Sequence, residues 1–169
     1  AKVFFETSAK LNNSYALNIL GILYYIGYGV EQDYLKAKEC FELSAKQNNS
    51  NAFYSLGKLY SNGIYVGQDY SKAKELYEIA SRQNNSNAQN NLGIMYYHGR
   101  GVTKSFSKAK EYFELSSLQN NSNALINLGY LYYKGDGVDQ DYLKAKYYFE
   151  LSSKQSNSIA SIHLGYLYY

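Results

Sequence analysis

The segment SNAFYSLGKLYSNGIYVGQDYSKAKELYEIASRQNN, residues 50–85, decides the fold, because the chain repeats its pattern every 36 residues. Three series of small residues keep this step without a gap or an insertion. They are Gly21, Gly57, Gly93, Gly129 and Gly165; Ala16, Ala52, Ala88, Ala124 and Ala160; and Ala37, Ala73, Ala109 and Ala145. A fixed period of this length is typical of a solenoid, in which each unit buries its apolar face only against its neighbours.

The first half of the unit predicts a helix that ends at a glycine. Ser50 or Asn51 is the expected N-cap, because a short polar side chain accepts hydrogen bonds from the free N–H groups of a first turn. The helix should cover about Ala52–Ser61 and end at Gly63, since glycine accepts the left-handed conformation common just after a helix. In the following loop Tyr65 replaces a glycine of the other copies, so we expect this loop to have a different shape.

The second half of the unit predicts another helix, over about Tyr70–Arg82, with Asp69 as its N-cap. Its apolar or small residues recur at the spacing of one helical face, which is therefore the core face. They are Ala73, Leu76, Tyr77 and Ala80. On the outer faces we expect ion pairs four residues apart with the acid first. These pairs are Glu42 with Lys46, Glu78 with Arg82, and Glu150 with Lys154.

The repeat divides the chain into one array of similar units. Complete units cover 14–49, 50–85, 86–121 and 122–157, and partial units cover 1–13 and 158–169. Natural arrays cover their terminal faces with atypical polar caps, and neither end carries such a cap here. We therefore expect a monomeric array that is part of a longer protein.

Composition and charge argue against several classes of protein. The net charge of +3 is small and spread through the units, which gives no basis for a nucleic-acid interface or for binding to anionic membranes. No apolar run approaches the roughly 18 to 20 residues of a membrane span, so we expect no membrane insertion. Cys40 is the single cysteine, so packing rather than an internal disulfide must hold the fold, and a reducing, cytoplasmic location is favoured.

The repeat resembles the Sel1-like repeat family, a relative of the tetratricopeptide repeats. The resemblance rests on Asn-Ala-x-x-x-Leu-Gly-x-Leu-Tyr-Tyr, then Gly-x-Gly-Val, then Asp-Tyr-x-Lys-Ala-Lys-x-Tyr-Phe-Glu-x-Ser, and it covers essentially the whole chain. It implies an all-α, right-handed superhelical solenoid whose first helices line a concave surface. Members of this family typically serve as adaptors in protein complexes. A cysteine-rich branch of the family links the two helices through cysteines eight residues apart, and the matching positions here, such as Ala45 and Phe53, hold none.

The sequence contains no pattern for catalysis, a cofactor or a metal. His98 and His163 lie at different places in their units, with no cysteine or carboxylate at ligand spacing. The Gly-x-Gly loops lack the preceding strand and the rest of a nucleotide-binding fingerprint. Cys40 occupies a place where other units have large apolar residues, which indicates a packed thiol rather than a reactive one. We therefore expect no enzyme activity and no cofactor.

Binding residues are expected where the units differ, because a repeat protein keeps its framework and varies its binding face. We number the residues of each first helix from its constant alanine, for example Ala88, which is position zero. The constant positions zero, four, seven and eight form the core face, and the constant glycine at position five lies beside it. At that glycine, for example Gly93, we expect the backbone of a second helix to approach closely.

Positions three, six and ten lie on an adjacent side of each first helix, which we call the variable face. Asparagine pairs with both groups of a peptide backbone, and tyrosine supplies contact area at low entropic cost, so this face should bind a protein or peptide. Three alternatives stay open: a merely solvated face, a carbohydrate-binding adhesin, and a targeting or regulatory module of a longer protein. The candidate residues are Ser55, Lys58, Asn62, Asn91, Ile94, His98, Asn127, Tyr130, Lys134, His163 and Tyr166.

Overall fold

The computed structural model describes residues 13–167, and over that range its regular structure is α-helical. The helices in chain order are α1 (Ser14–Ile26), α2 (Tyr34–Ala45), α3 (Ser50–Asn62), α4 (Tyr70–Arg82), α5 (Ser86–His98), α6 (Phe106–Ser117), α7 (Ser122–Lys134), α8 (Tyr142–Ser153) and α9 (Ser158–Leu167). The all-α class and the helix-turn-helix repeat are therefore confirmed. The predicted partial unit at 1–13 lies, apart from Asn13, outside the described residues.

The helices form two compact units, one ending at Asn85 and the other beginning at Ser86. In the first, α1 packs on α2 and α3 packs on α4, while α2 also packs on α3. In the second, α5 packs on α6, α7 on α8 and α9 on α8, while α6 also packs on α7. The second helices α2, α6 and α8 thus each lie between two first helices and bury both of their flanks.

Asparagine, rather than the serine after it, caps the first helices α1, α3 and α7. At α3 the side-chain oxygen of Asn49 accepts hydrogen bonds from the N–H groups of Asn51 and Ala52. The prediction of Ser50 or Asn51 as the cap is therefore wrong by one or two residues. The reason is that Ser50 is already the first helical residue, so the cap must precede it.

The loop between α3 and α4 has the predicted ends but not the predicted difference in shape. Gly63 is left-handed with a φ of 67°, and the Asp69 carboxylate accepts a hydrogen bond from the Lys72 N–H at 2.9 Å. Tyr65 has a φ of 64°, which matches the glycines at the same place in the other loops, Gly29, Gly101 and Gly137. Tyrosine therefore adopts the backbone conformation of the glycine that it replaces, at a cost of about 1 to 2 kcal/mol.

The constant glycine of each complete repeat lies under an aromatic ring of the second helix. A Cβ atom on Gly93 would lie 2.4 Å from Cε1 of Phe113, and one on Gly129 would lie 2.4 Å from Cε1 of Phe149. The predicted close approach is thus confirmed. An aromatic ring makes the nearest contact, and at Gly21 the backbone oxygen of Ala37 on the second helix would also lie 3.1 Å from an added Cβ. The ring fills the space that a side chain at the glycine would occupy.

Ion pairs on the outer faces run in the opposite order from the predicted one. Each acid pairs with the lysine four residues before it: Glu42 with Lys38 at 2.6 Å, Glu78 with Lys74 at 2.8 Å, and Glu150 with Lys146 at 3.8 Å. The predicted partners lie at the ends of their helices, where Lys46 and Lys154 are C-caps, whereas the observed lysines lie inside them. Exposed pairs of this kind contribute at most about 0.5 kcal/mol.

Candidate binding groove

Two neighbouring cavities in the second compact unit bring together most of the variable-face residues of that unit. The larger cavity has a volume of about 260 Å³ and is lined by Ile94, Tyr97, His98, Phe113, Asn127, Tyr130 and Lys134. The smaller has a volume of about 170 Å³ and is lined by Tyr130, Tyr133, Lys134, Phe149, His163 and Tyr166. Since Tyr130 and Lys134 belong to both, they form the divide between the cavities, which together we call the aromatic groove.

The remaining candidate residues line neither cavity of the aromatic groove. Asn91 is half-buried on α5 and lines neither cavity. In the first compact unit, the Ser55 hydroxyl contacts Asn18 Oδ1 at 3.5 Å, and the Lys58 ammonium lies 5.6 Å from the centre of the Tyr25 ring. These residues and the exposed Asn62 stay candidates for ligand binding.

Sequence reasoning missed four aromatic residues of the groove: Tyr97, Tyr133, Phe113 and Phe149. The two tyrosines occupy position nine of their first helices, which is not one of the three positions assigned to the variable face but lies one turn from position six. The two phenylalanines come from the second helices. Their rings reach the groove because the constant glycine opposite each ring leaves it room, a contact that residue spacing within one helix does not reveal.

A hydrogen bond holds Tyr97 at the wall of the larger cavity. Its hydroxyl donates to Oδ2 of Asp136, in the loop after α7, at 2.5 Å. Burial and, after it, this hydrogen bond raise the pKa of Tyr97 to about 12. The hydroxyl therefore stays protonated at neutral pH and keeps donating, and its ring packs edge-on against Phe106 with the ring centres 5.3 Å apart.

Tyr130 and His163 form the corresponding contact in the smaller cavity. The Tyr130 hydroxyl lies 2.5 Å from Nε2 of His163, and the Tyr130 ring packs edge-on against Phe149. Burial lowers the pKa of His163, which favours the neutral ring at pH 7. A neutral imidazole has one donor and one acceptor nitrogen, and its tautomer sets which group donates in this hydrogen bond. Two variable-face residues from successive repeats are thus joined directly.

Asn127 has a partner inside the protein. Its amide nitrogen donates to Oδ1 of Asn90 at 2.8 Å, and Asn90 is 6% exposed. Removing that donor would leave a buried acceptor without this hydrogen bond, at a cost of about 1 to 3 kcal/mol. Asn127 therefore helps to hold the wall of the groove, which makes it a poor position for testing ligand contact.

Consecutive repeats over most of the chain match one family model. The Sel1 repeat model matches residues 14–49, 50–85, 86–121 and 122–157. The chain belongs to the Sel1 repeat family. A comparison with curated proteins finds no match.

Solved Sel1 repeat structures share this fold. A protective antigen of uropathogenic Escherichia coli that displays an SLR fold is 32% identical, with a TM-score of 0.88 over 99% of this chain and 36% of its own. A Sel1 repeat protein from Oxalobacter formigenes is 27% identical, with a TM-score of 0.90 over 98% of this chain and 68% of its own. An immunity protein from Pseudomonas aeruginosa is 23% identical, with a TM-score of 0.70 over 92% of this chain and 58% of its own. This chain thus spans about a third of the first relative and two thirds of the second.

Basic residues lie at the divide and at one side of the aromatic groove of these Sel1 repeats. Lys134 is exposed at the divide, with its ammonium 5.8 Å from the centre of the Tyr133 ring. At the other side, burial and then the charges of Arg100 and Lys104 lower the pKa of His98, so that its ring is neutral at pH 7. The groove therefore has apolar walls, a neutral imidazole and a basic rim.

The rest of this Sel1 array offers little reactive chemistry in the part that the structure describes. Over residues 13–167 no group of three His, Cys, Asp or Glu side chains is placed to hold a metal ion, and no helix is both long and apolar enough to cross a membrane. Cys40 is half-buried, and burial followed by the nearby charge of Glu39 raises the pKa of its thiol to about 11. The thiol is therefore protonated at neutral pH, which lowers its reactivity.

Proposed function

We propose that this Sel1 array is a noncatalytic scaffold that binds a protein or peptide in the aromatic groove of its second unit. One observation carries the proposal: variable positions of successive repeats meet around two adjacent cavities whose walls are mainly aromatic and aliphatic. Concave apolar sites with a few convergent polar groups are the usual form of a ligand site. Large aromatic residues also supply much of the binding energy in protein interfaces.

The groove is already assembled in the free protein, which favours binding. Hydrogen bonds from Tyr97 to Asp136 and between Tyr130 and His163 fix the two tyrosine rings. A partner then need not order these side chains, and each rotamer-rich side chain fixed on binding costs about 0.5 to 1.5 kcal/mol. The adaptor role that is common among Sel1 repeats agrees with this arrangement.

The relatives supply two further contexts for the same groove. Because the chain covers only 36% of the E. coli antigen, a binding module within a longer protein is compatible with the comparison. The antigen also keeps the carbohydrate-binding adhesin as an alternative, for which exposed rings such as Tyr166, 66% exposed, would supply stacking surfaces.

A peptide selection combined with one groove variant tests the proposal. A phage-displayed library of random linear peptides is selected on the protein, and the binders are measured against Ile94→Ala and Leu143→Ala. Ile94 lines the larger cavity, whereas Leu143 is 81% exposed on α8 and serves as the matched aliphatic control. We expect Ile94→Ala to weaken binding by about 1 to 2 kcal/mol and Leu143→Ala to have little effect.

Two measurements complete this test. Urea unfolding of each variant shows whether a loss of binding reflects a loss of folding. A glycan array on the same protein examines the alternative function. Binders that respond equally to both variants, or glycan binding that Ile94→Ala abolishes with no peptide binder found, would overturn the proposal.

A further inference from the structure

The basic side chains around the aromatic groove have no acidic partner within the described residues. None of the ion pairs over residues 13–167 involves Lys134, Arg100 or Lys104. Many other lysines pair with a carboxylate on their own helix, as Lys110 pairs with Glu114 at 2.7 Å. Other cations among the described residues also form none of these ion pairs, namely Lys46, Lys58, Arg82, Lys108 and Lys154. Lys134 differs from them because it lines both cavities of the aromatic groove.

The Asp136 carboxylate at the rim offsets part of the charge around the groove but forms an ion pair with none of the three cations there. Asp136 accepts the hydrogen bond of the Tyr97 hydroxyl at 2.5 Å, and it forms none of the ion pairs among the described residues. Lys104 lies over the Phe106 ring at 4.4 Å and Lys134 lies beside the Tyr133 ring, so both ammonium groups rest on aromatic surface. An ammonium on a ring face keeps donors free for an added carboxylate.

The cavities have the size of large side chains. An apolar cavity of about 150 Å³ suffices to hold benzene. The larger cavity here has about 260 Å³ and the smaller about 170 Å³. Each therefore has room for one aromatic or large aliphatic side chain, and Lys134 stands at the divide between them.

The geometry points to an acidic peptide segment as the occupant, with a large apolar side chain in each cavity and an aspartate or glutamate between them that pairs with Lys134. This inference rests on the proposed function and specifies the partner's chemistry. Burial of the peptide's apolar side chains against the cavity walls favours binding, whereas the unpaired cations favour a peptide with negative charge. A neutral segment would gain no electrostatic attraction from Lys134, Arg100 and Lys104, and a basic segment would be repelled by them.

The test uses the peptides selected on the unmodified protein, measured against three variants. Lys134→Glu reverses the charge at the divide. Lys154→Glu makes the same change in net charge at an exposed site at the end of α8, outside both cavities. Ile94→Ala reports on use of the groove independently of charge. Binding is measured at low salt and again with the salt raised tenfold, since salt screens exposed charges.

We expect binders enriched in aspartate and glutamate next to large apolar residues. Their affinity should fall about tenfold or more in Lys134→Glu, less than about twofold in Lys154→Glu, and clearly at high salt. Binders that depend on Ile94 but are neutral or basic and insensitive to Lys134→Glu would overturn the acidic partner while leaving the proposed function standing. Binders that ignore both Ile94 and Lys134, or no binders at all, would overturn both.

Discussion

Replacing Gly93 with alanine should destabilise the protein, although alanine is the better helix former. The added methyl carbon would lie 2.4 Å from Cε1 and 2.5 Å from Cδ1 of Phe113, whereas unstrained carbon contacts lie at about 3.5 to 4.0 Å. The Phe113 ring is 2% exposed and packed in the core, so it could relieve this contact only by shifting toward the larger cavity and giving up packing contacts. Overpacking of this kind costs about 1 to 3 kcal/mol, and the helix propensity of alanine returns about 0.5 to 1 kcal/mol. We therefore expect a net loss of about 1 to 2 kcal/mol.

Gly165 provides the matched control for this measurement. It has the same repeat position on α9, but among the described residues no atom outside its own helix turn would lie within 4 Å of an added Cβ. Gly165→Ala should therefore stabilise by about 0.5 to 1 kcal/mol. Both variants are followed by urea unfolding with circular dichroism at about 222 nm. If Gly93→Ala stabilises the protein as Gly165→Ala does, the ring contact does not restrict this position and the reasoning is refuted.

Three further predictions concern local strain, pH and repeat number. Tyr65→Gly should stabilise by about 1 kcal/mol in urea unfolding, because the native φ of 64° is strained for tyrosine; an unchanged midpoint would contradict this. Because burial lowers the pKa of both His98 and His163, the unfolded chain binds more protons just below the ordinary pKa near 6.5, so stability should fall as the pH drops through that window. The double His→Asn variant should flatten that dependence. The isolated peptide 50–85 should show no cooperative thermal transition as a monomer, since it lacks the neighbours that bury its faces.

Periodicity predicted the helices and their glycine ends because each depends on residues close in the chain. A glycine such as Gly63 ends its helix by its own backbone freedom, and an aspartate such as Asp69 caps the next helix through an N–H three residues ahead. The variable face was found for a similar reason: its positions follow from the turn of a single helix. Even within one helix, the predicted ion-pair partners of Glu42 and Glu78 were wrong, because each acid has a basic residue four positions away on either side.

Contacts between repeats could not be predicted from spacing alone. Asn127 donates to Asn90, which lies 37 residues earlier, and Tyr130 meets His163, which lies 33 residues later. Neither separation in sequence equals the period of 36 residues, so the two partners of each contact occupy different positions of the repeat. Asn127 lines the larger cavity and stays a candidate for ligand binding, but spacing did not predict that its amide also holds Asn90 inside the protein.

The rings of Phe113 and Phe149 belong both to the packed framework of the repeats and to the walls of the groove. Each ring fills the gap beside a constant glycine, and each also lines one of the two cavities. The glycine that defines the repeat therefore sets the depth of the site, since a methyl group there would push the ring toward the space that a ligand would occupy. Constant residues in this array thus determine where the groove lies. In the proposed function the variable residues around the rings, Ile94, Tyr130 and Lys134 among them, select the ligand. It follows that Gly93→Ala should weaken any ligand of the larger cavity more than its loss of stability alone would explain, whereas Gly165→Ala should leave that ligand unaffected.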